Sequence, residues 1–572
     1  MKYIRLPSDR SSRIPSLREL FQLARILSPR RKHIVFALII FSGFSLVLAV
    51  TLTSQAFMVT TPTEGGNFTE GLFGVPRFIN PILATSDVDR DLVMLIYSGL
   101  LRALPDERFE YDLAQSYTVS DDGLTYTFTL KKDLKWHDGK MITSADIVYT
   151  VRMAQNDIVR SPKRASWEGV LVEAIDDLTV QFTLKQLYSP FLDNLTMGIL
   201  PEHIWKDARP EEFALSLNNI KAIGTGPYKI DKIENDSSGI PAEIKLTANK
   251  NFALGAPYIS KISLKFFSDE TKFSTRGDLM PAKRQVDSVS GLSAELSREY
   301  VDVLSVPLPR IFAIFFNQNQ SAILSDRNVR EALSLATPRD EIIDTALSGF
   351  ASPIYSPILN TKTEPAKYEL DIPKAKRILD DAGWKAKEEG GIRTKKGKSL
   401  NITLATGDSP ELSRTASLLS ERWRELGVNL AVKVYETSDL ATEIIRPRKF
   451  DALLFGEVVG HFQDPYAFWH TSQRLDPRLN IAGYTNSTAD KALEEARKSN
   501  DPNLRRKQYK IFENEINKDI PAIFLYQPHF TYISPTQVKN LKIDSVGNAS
   551  DRFLNVYKWY ISTDHVWKIF AR

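Results

Sequence analysis

Two periodicities divide the body of this chain. After the turn Asp121-Asp122-Gly123, residues Leu124, Tyr126, Phe128 and Leu130 alternate with polar neighbours, and Leu178, Val180, Phe182 and Leu184 repeat the pattern after Asp176-Asp177. A period of two is that of a half-buried strand, so two similar strands in one sheet are predicted. Farther along, the period lengthens. Asp371 caps a helix with proline in its first turn, Ala375, Ile378, Leu379 and Ala382 share one face, and Gly383 stops it. Leu412, Ala416, Leu419, Trp423 and Leu426 form a second stripe that ends at Gly427, after which Val428, Leu430, Val432 and Val434 alternate as a strand. Helix-to-strand units of this kind predict an α/β protein with mixed sheets. A chain of 572 residues is too long for one hydrophobic core, so at least two lobes are expected.

The N-terminal region follows neither period. Residues 34–50, IVFALIIFSGFSLVLAV, carry no charge, and with Thr51 and Leu52 the run is about long enough to cross a bilayer core. Residues 1–33 hold Lys2, Arg5, Arg10, Arg13, Arg18, Arg25, Arg30, Arg31 and Lys32 against Asp9 and Glu19. This basic tail predicts a cytoplasmic N-terminus, a membrane helix over 34–53 and an extracytoplasmic body in a single-pass cell-membrane protein. A signal peptide cleaved after Ser54-Gln55-Ala56 is the alternative; the long charged tail and long apolar run favour a retained anchor. Residues 54–65, rich in Thr, Pro and Gly, read as a linker.

Charge and composition narrow the function classes. The whole chain is +4, yet the tail alone is about +7, so the body is slightly acidic and no nucleic-acid partner is expected. Without cysteine there are no disulfides, thiolate metal ligands or cysteine nucleophiles, and no lipid-anchor cysteine. The sequence contains no Gly-x-Ser-x-Gly and no His-Glu-x-x-His. Gly391-Ile-Arg-Thr-Lys-Lys-Gly397-Lys398-Ser399 imitates a phosphate loop with one residue too many, and a solvated hairpin fits it better. Trp136-His137-Asp138-Gly139 pairs imidazole with carboxylate, but Asp-Gly is a turn dipeptide and a structural turn is expected. Gly224-Thr-Gly-Pro-Tyr228 also reads as a tight turn, because Pro227 lacks an N–H that a phosphate cradle would use. Nothing here demands an enzyme or a cofactor.

The run LAQSYTVSDDGLTYTFTLKKDLKWHDGKMITSADIVYTV (113–151) resembles the signature region of the family 5 extracytoplasmic solute-binding proteins, the oligopeptide and dipeptide receptors of ABC importers. GTGPYKI (224–230), DRNVREALSLATPRDEII (326–343), DIPKAKRILDDAGW (371–384), FDALLFG (450–456), NIAGYTNSTADKALEEAR (480–497) and DIPAIFLYQP (519–528) continue the same order of motifs. The resemblance implies a two-lobed, periplasmic-binding-protein-like fold of the large peptide-binding class. Its first lobe would be discontinuous, 64–310 plus 525–572, and its second would be 311–524. The chain would cross near Pro309–Asn317 and Pro521–Tyr526. The lobes of such receptors close on their ligand by hinge bending. A monomer that hands peptides to an ABC permease is the function implied.

The same resemblance implies ligand contacts. Thr85, Ser86 and Asp87 fall at a first-lobe loop that touches ligand in relatives. On the second lobe Asp464-Pro465 ends the segment that runs along the ligand, which brings in Glu457, Val458, Val459, Gly460, His461 and Asp464, with Trp469 and Tyr526 nearby. Peptide-binding members often carry an aspartate at the position of His461, where it pairs with the ligand's amino group. A neutral histidine supplies no charge and a protonated one repels an ammonium. Asp87 or Glu457 could provide the missing negative charge. Aromatics Phe462, Tyr466, Phe468 and Trp469 leave a sugar oligomer open as ligand, although packing suits Phe468 and Trp469 better. His461, Asp464 and His470 leave a metal chelate open, although their spacing matches no metal motif. An anchored peptidase or chaperone-like protein is the remaining alternative.

Overall fold

The computed structural model describes residues 28–104, 108–188, 190–268, 286–292, 303–359, 369–460, 463–476, 478–499, 501–543 and 546–568. The chain forms two compact units, Met1–Thr63 with Thr563–Arg572, and Glu64–Ser562.

In the smaller unit, helix Pro29–Phe57 contains an apolar span, Pro29–Thr51, of 23 residues and mean hydropathy 2.6, none of it buried. At about 1.5 Å per residue such a span is long enough to cross a hydrocarbon core. The helix continues where a linker was expected, and strand Met58–Pro62 follows directly. That strand pairs antiparallel with Thr563–Trp567, from Met58 opposite Trp567 to Pro62 opposite Thr563. Of residues 525–572, expected in the first lobe, the last ten group with this unit. Valine and β-branched threonines suit a strand, and the ladder occupies backbone groups that a linker would leave to water.

The larger unit is built on a mixed twelve-stranded sheet. Strands 401–407, 429–435 and 452–458 run parallel at one end, and 67–73, 261–267 and 288–290 run parallel toward the other. Between them lie the antiparallel neighbours Arg310–Phe316 and Ala522–Ile533. The first is apolar along nearly its whole length (RIFAIFF) because both of its faces are covered. Ile314 and Phe316 enter a core with Trp384 and Trp423, whereas Ile311, Ala313 and Phe315 enter another with Trp469 and Phe512. A third, separate core spans Phe68 to Leu264 and takes in Phe553 and Trp559. Strand Ala522–Ile533 serves both halves: Ala522–Tyr526 pairs with Arg310–Phe316, and His529–Ile533 pairs with Val303–Pro307.

Local signals explain the elements. Strands Thr125–Leu130 and Thr179–Thr183 are antiparallel neighbours in a four-stranded sheet, with Tyr126 opposite Phe182. Asp371 Oδ1 accepts from Lys374 N at 2.8 Å and caps helix Ile372–Asp381. Ser409 caps helix Pro410–Arg424, and Gly427 follows at φ +76°, a left-handed conformation that an L residue adopts only with strain. The phosphate-loop mimic is a hairpin of Thr394–Lys395 with Lys398–Ser399, turned at Lys396 and Gly397.

Beneath the third core lies a buried ionic cluster. Arg552 grips Asp91 through two hydrogen bonds of 2.7 and 2.6 Å and Glu70 through two more of 2.9 and 2.6 Å. Tyr532 donates to the other oxygen of Glu70 at 3.1 Å, as does Ser288 at 3.3 Å. The cluster fastens strand Asn67–Phe73, helix Asp87–Ile96 and the far end of the crossing strand to one guanidinium.

Candidate functional site

On the second half, strand Ala452–Val458 delivers the chain into the segment that was expected to face ligand. Val458 is 59% exposed, Val459 N donates to Pro309 O at 2.9 Å, and Gly460 has φ +76°. His461 and Phe462 lie outside the described residues. The segment is anchored again at Gln463, whose side chain exchanges hydrogen bonds with the backbone of Leu359, while Tyr509 Oη donates to Gln463 O at 2.9 Å.

Asp464 accepts from Tyr466 N through Oδ1 and forms an ion pair with Arg497 at 3.0 Å through Oδ2. Burial pushes its carboxyl up, and Arg497 and the Tyr466 N–H pull it partly back. The Arg497 guanidinium lies 4.4 Å from the ring centroid of Tyr466 and 4.9 Å from that of Tyr188. Tyr188 belongs to the first half, so Arg497 makes a bridge between the halves. Burial, and then the charge of Asp464, raises the pKa of the Tyr188 phenol.

The neighbouring aromatics pack. Trp469 is 1% exposed and meets Phe315, Phe512 and Phe524 at centroid distances of 6.0, 6.4 and 5.8 Å. It is a core residue on this side of the sheet. His470 stacks on Tyr466 at 4.1 Å, with Nδ1 2.8 Å from Ser472 and Nε2 3.2 Å from Glu494. Among the described residues no group of three or more His, Asp or Glu side chains is arranged to hold a metal ion.

Of the other expected contacts, Thr85, Tyr526 and the pair Glu457 and Val458 line three different cavities. Thr85 lines one of about 360 Å³ with Arg90, Tyr97 and Lys163. Ser86 is spent on capping helix Asp87–Ile96, where its Oγ accepts from Asp89 N, and Asp87 pairs with Arg90 at 2.9 Å on the surface. Tyr526 is 1% exposed, stacks on Phe312 at 5.0 Å and borders a cavity of about 250 Å³ with Pro528 and His529. Glu457 and Val458 line the third, about 440 Å³, with Phe468 and Arg448. Among the described residues neither carboxyl oxygen of Glu457 has a hydrogen-bond partner, and burial pushes this carboxyl well above the ordinary carboxylate range. Sequence reasoning missed Tyr188, Arg497 and Arg448. Arg497 closes the quoted motif NIAGYTNSTADKALEEAR, but nothing in the sequence marks Tyr188 as its partner.

The imidazole–carboxylate pair at 137–138 is structural. His137 Nε2 donates to Gly226 O at 3.1 Å, its Nδ1 accepts from Gly224 N at 3.3 Å, and burial lowers its pKa to about 4. Gly224 lies so close to Ile96 O that no Cβ would fit, which accounts for the glycine in that turn.

Comparison with known proteins agrees with this architecture. The model of the bacterial extracellular solute-binding proteins, family 5 (middle), matches residues 108–476. The oligopeptide-binding protein AppA of Bacillus subtilis is 27% identical over 518 residues, 88% of this chain and 92% of AppA. Its structure in complex with a nonapeptide superposes with a TM-score of 0.68, covering 88% of this chain and 100% of that one. NikZ of Campylobacter jejuni, in complex with Ni(L-His), is 26% identical with a TM-score of 0.68 over 86% of this chain and 99% of its own. CtaP of Listeria monocytogenes, an ABC transporter substrate-binding protein, is 26% identical with a TM-score of 0.72 over 87% and 100%. Two separately cored halves joined by paired central strands, and a family match over most of the body, lead to one conclusion: this chain belongs to the family 5 extracellular solute-binding proteins, which bind substrates and are not enzymes.

Proposed function

We propose that the protein captures peptides between the halves 64–310 plus 525–562 and 311–524, and passes them as a monomer to an ABC import permease. Helix Pro29–Phe57 holds it at the cell membrane with its N-terminus cytoplasmic. The observation that carries this reading is the pair of crossing strands, Arg310–Phe316 and Ala522–Ile533, the second of which hydrogen-bonds into both halves. Two such strands let the halves rotate with little change in either core, and Arg497 against Tyr188 gives a contact that forms only when they meet. AppA with its nonapeptide supports a peptide as ligand. An extended peptide bound by backbone hydrogen bonds would leave side chains in wet pockets, which suits broad specificity.

The test is to purify the full chain in detergent, identify co-purified molecules by native mass spectrometry, and titrate it with a peptide library while following Tm. Bound peptides and a peptide-dependent rise in Tm are expected; cleavage of added peptide would sink the reading. A chelated metal ion is the second reading, favoured by the likeness to NikZ. It predicts that nickel–histidine raises Tm where peptides do not.

A further inference from the structure

Strand Ala522–Ile533 changes partner near its middle, and one side chain spans the change. Tyr526, Gln527 and Pro528 stand opposite Pro353, Ser352 and Ala351 of the second half. From His529 onward the partner is the first half, with Pro307 opposite His529 and Ser305 opposite Thr531. Gln527, His529 and Thr531 share one face by the strand period of two. Ser352 and Ser305 are therefore the diagonal neighbours of His529, one in each half. The imidazole meets both: its Nδ1 lies 2.8 Å from Ser305 Oγ and its Nε2 2.8 Å from Ser352 Oγ. Bonds beside the ring also reach both halves. His529 N donates to Phe350 O at 3.0 Å, and Gln527 Nε2 donates to Leu308 O at 2.8 Å.

A neutral imidazole has one donor and one acceptor, so it links the hydroxyls in a chain: one serine donates and the other accepts. Because the serines belong to different halves, rotation about the strand moves them relative to each other. Both bonds are then complete over only a narrow range of angles. The arrangement seen here is one in which Arg497 touches Tyr188 across the halves. Burial lowers the pKa of His529, and among the described residues no carboxylate compensates a charge on the ring. Strands Val303–Pro307 and Ala351–Pro353 carry no charged side chain, and the crossing strand carries none besides His529. The other titratable groups around it are Arg310, Glu411 and Tyr526, which line the same cavity of about 250 Å³. A protonated ring would be a donor only, in a place that removes its hydration.

We propose that His529 is a positioning residue for closure: neutral, it latches the halves together through Ser305 and Ser352, and protonated, it lets them part. The proposal rests on the reading of two halves that close on a ligand, but not on which ligand that is. Its pH dependence has a definite sign. The open arrangement, with the ring hydrated, binds the proton more tightly than the closed one. The latch is therefore at full strength above the ordinary histidine value of about 6.5 and is lost as pH falls below it.

The test follows single-molecule distances between labels on the two halves of the full chain, without ligand, at about pH 8 and about pH 5.5. The chain has no cysteine of its own, so the labels go on introduced ones. The open-to-closed ratio of the wild type should rise by about twofold to tenfold at the lower pH, the range for a hydrogen bond between neutral groups. His529→Ala should show the raised ratio at both pH values. Ser305→Ala and Ser352→Ala should each raise the ratio at the higher pH, and the double variant should raise it no further, because the latch needs both hydroxyls. The serine variants decide if His529→Ala does not fold. A wild-type ratio that ignores pH, a pH response that persists in His529→Ala, or serine effects that simply add would each overturn the latch. If the distances respond as expected while no peptide raises Tm, the latch stands and the peptide reading falls. Peptide binding with distances that ignore both pH and the serines keeps the receptor and removes the latch.

Discussion

The two halves of the body each bury a glutamate, and they treat it in opposite ways. In the first half Arg552 is fully enclosed, and four hydrogen bonds from its guanidinium close on Glu70 and Asp91. In the second, Arg448 and Glu457 line one cavity without pairing, and each keeps a buried polar group unanswered. Burial costs both sites their hydration; only the first recovers it within the protein. The difference separates two uses of buried charge: a closed set holds elements together, and a lone buried acid stays neutral instead.

The sharpest way to break the comparison is at Arg552. Arg552→Met strands two buried carboxylates against each other and should cost about 3–5 kcal/mol in denaturant unfolding of the full chain. A loss below about 1 kcal/mol would mean that the cluster is not the clamp described here. Asp91 gives the next largest effect. Burial raises its pKa from 3.8 to about 6, even against the opposing pull of Arg552. The folded state therefore binds this proton more tightly than the unfolded one. The stability it contributes is full below about pH 4 and is lost as pH rises through about 6. Asp91→Asn should remove that slope, worth on the order of 2–3 kcal/mol, from the pH profile of stability.

Glu457 should behave in the contrary sense. Glu457→Leu replaces a lone buried acid by an apolar side chain of similar size, so at pH 7 stability should be unchanged or higher by about 1–2 kcal/mol. The sign follows from the raised pKa of this acid: its stabilising protonated form is favoured below the ordinary value of 4.5 and lost as pH rises through the raised one. The wild type should thus lose ground to the variant as pH rises. A destabilisation as large as that of Arg552→Met would show that Glu457 is structural and would erase the contrast between the halves.

How far this could be read from the sequence depends on the distance between partners. The strands at 125–130 and 179–183, the capped helix after Asp371 and the turn at Gly427 rest on neighbours in the chain, and the alternation of apolar residues announces them. The family resemblance likewise rested on contiguous motifs, and the match over 108–476 agrees with it. Arg552 and Glu70 lie 482 positions apart, and no local pattern connects them. The same holds for the strand at 58–62, whose partner is at the other end of the chain. Glu457 was legible as a candidate, but its lack of partners belongs to the packing around it. Trp469 was legible as large and apolar, yet only its place among Phe315, Phe512 and Phe524 makes it a core residue.

The smallest effect is expected where the halves touch. Arg497 is held on its own side by Asp464 at 3.0 Å and by the Tyr466 ring, so its contact with Tyr188 adds only a further face to a cation already paired. Cation–π contacts of this kind contribute about 0.5–1 kcal/mol. Tyr188→Leu keeps an apolar side chain against the first core but removes the ring, and global unfolding should shift by no more than that. The closed arrangement should feel the whole of it, because this energy exists only when the halves meet. A change of about 0.5–1 kcal/mol alters an open-to-closed ratio by roughly two- to fivefold. Single-molecule distance measurements between labels on the two halves should therefore show more open molecules in Tyr188→Leu, with Tm almost unchanged. An unaltered distribution would mean that closure is set by the ligand and the crossing strands alone, and that Arg497 serves only to position Asp464.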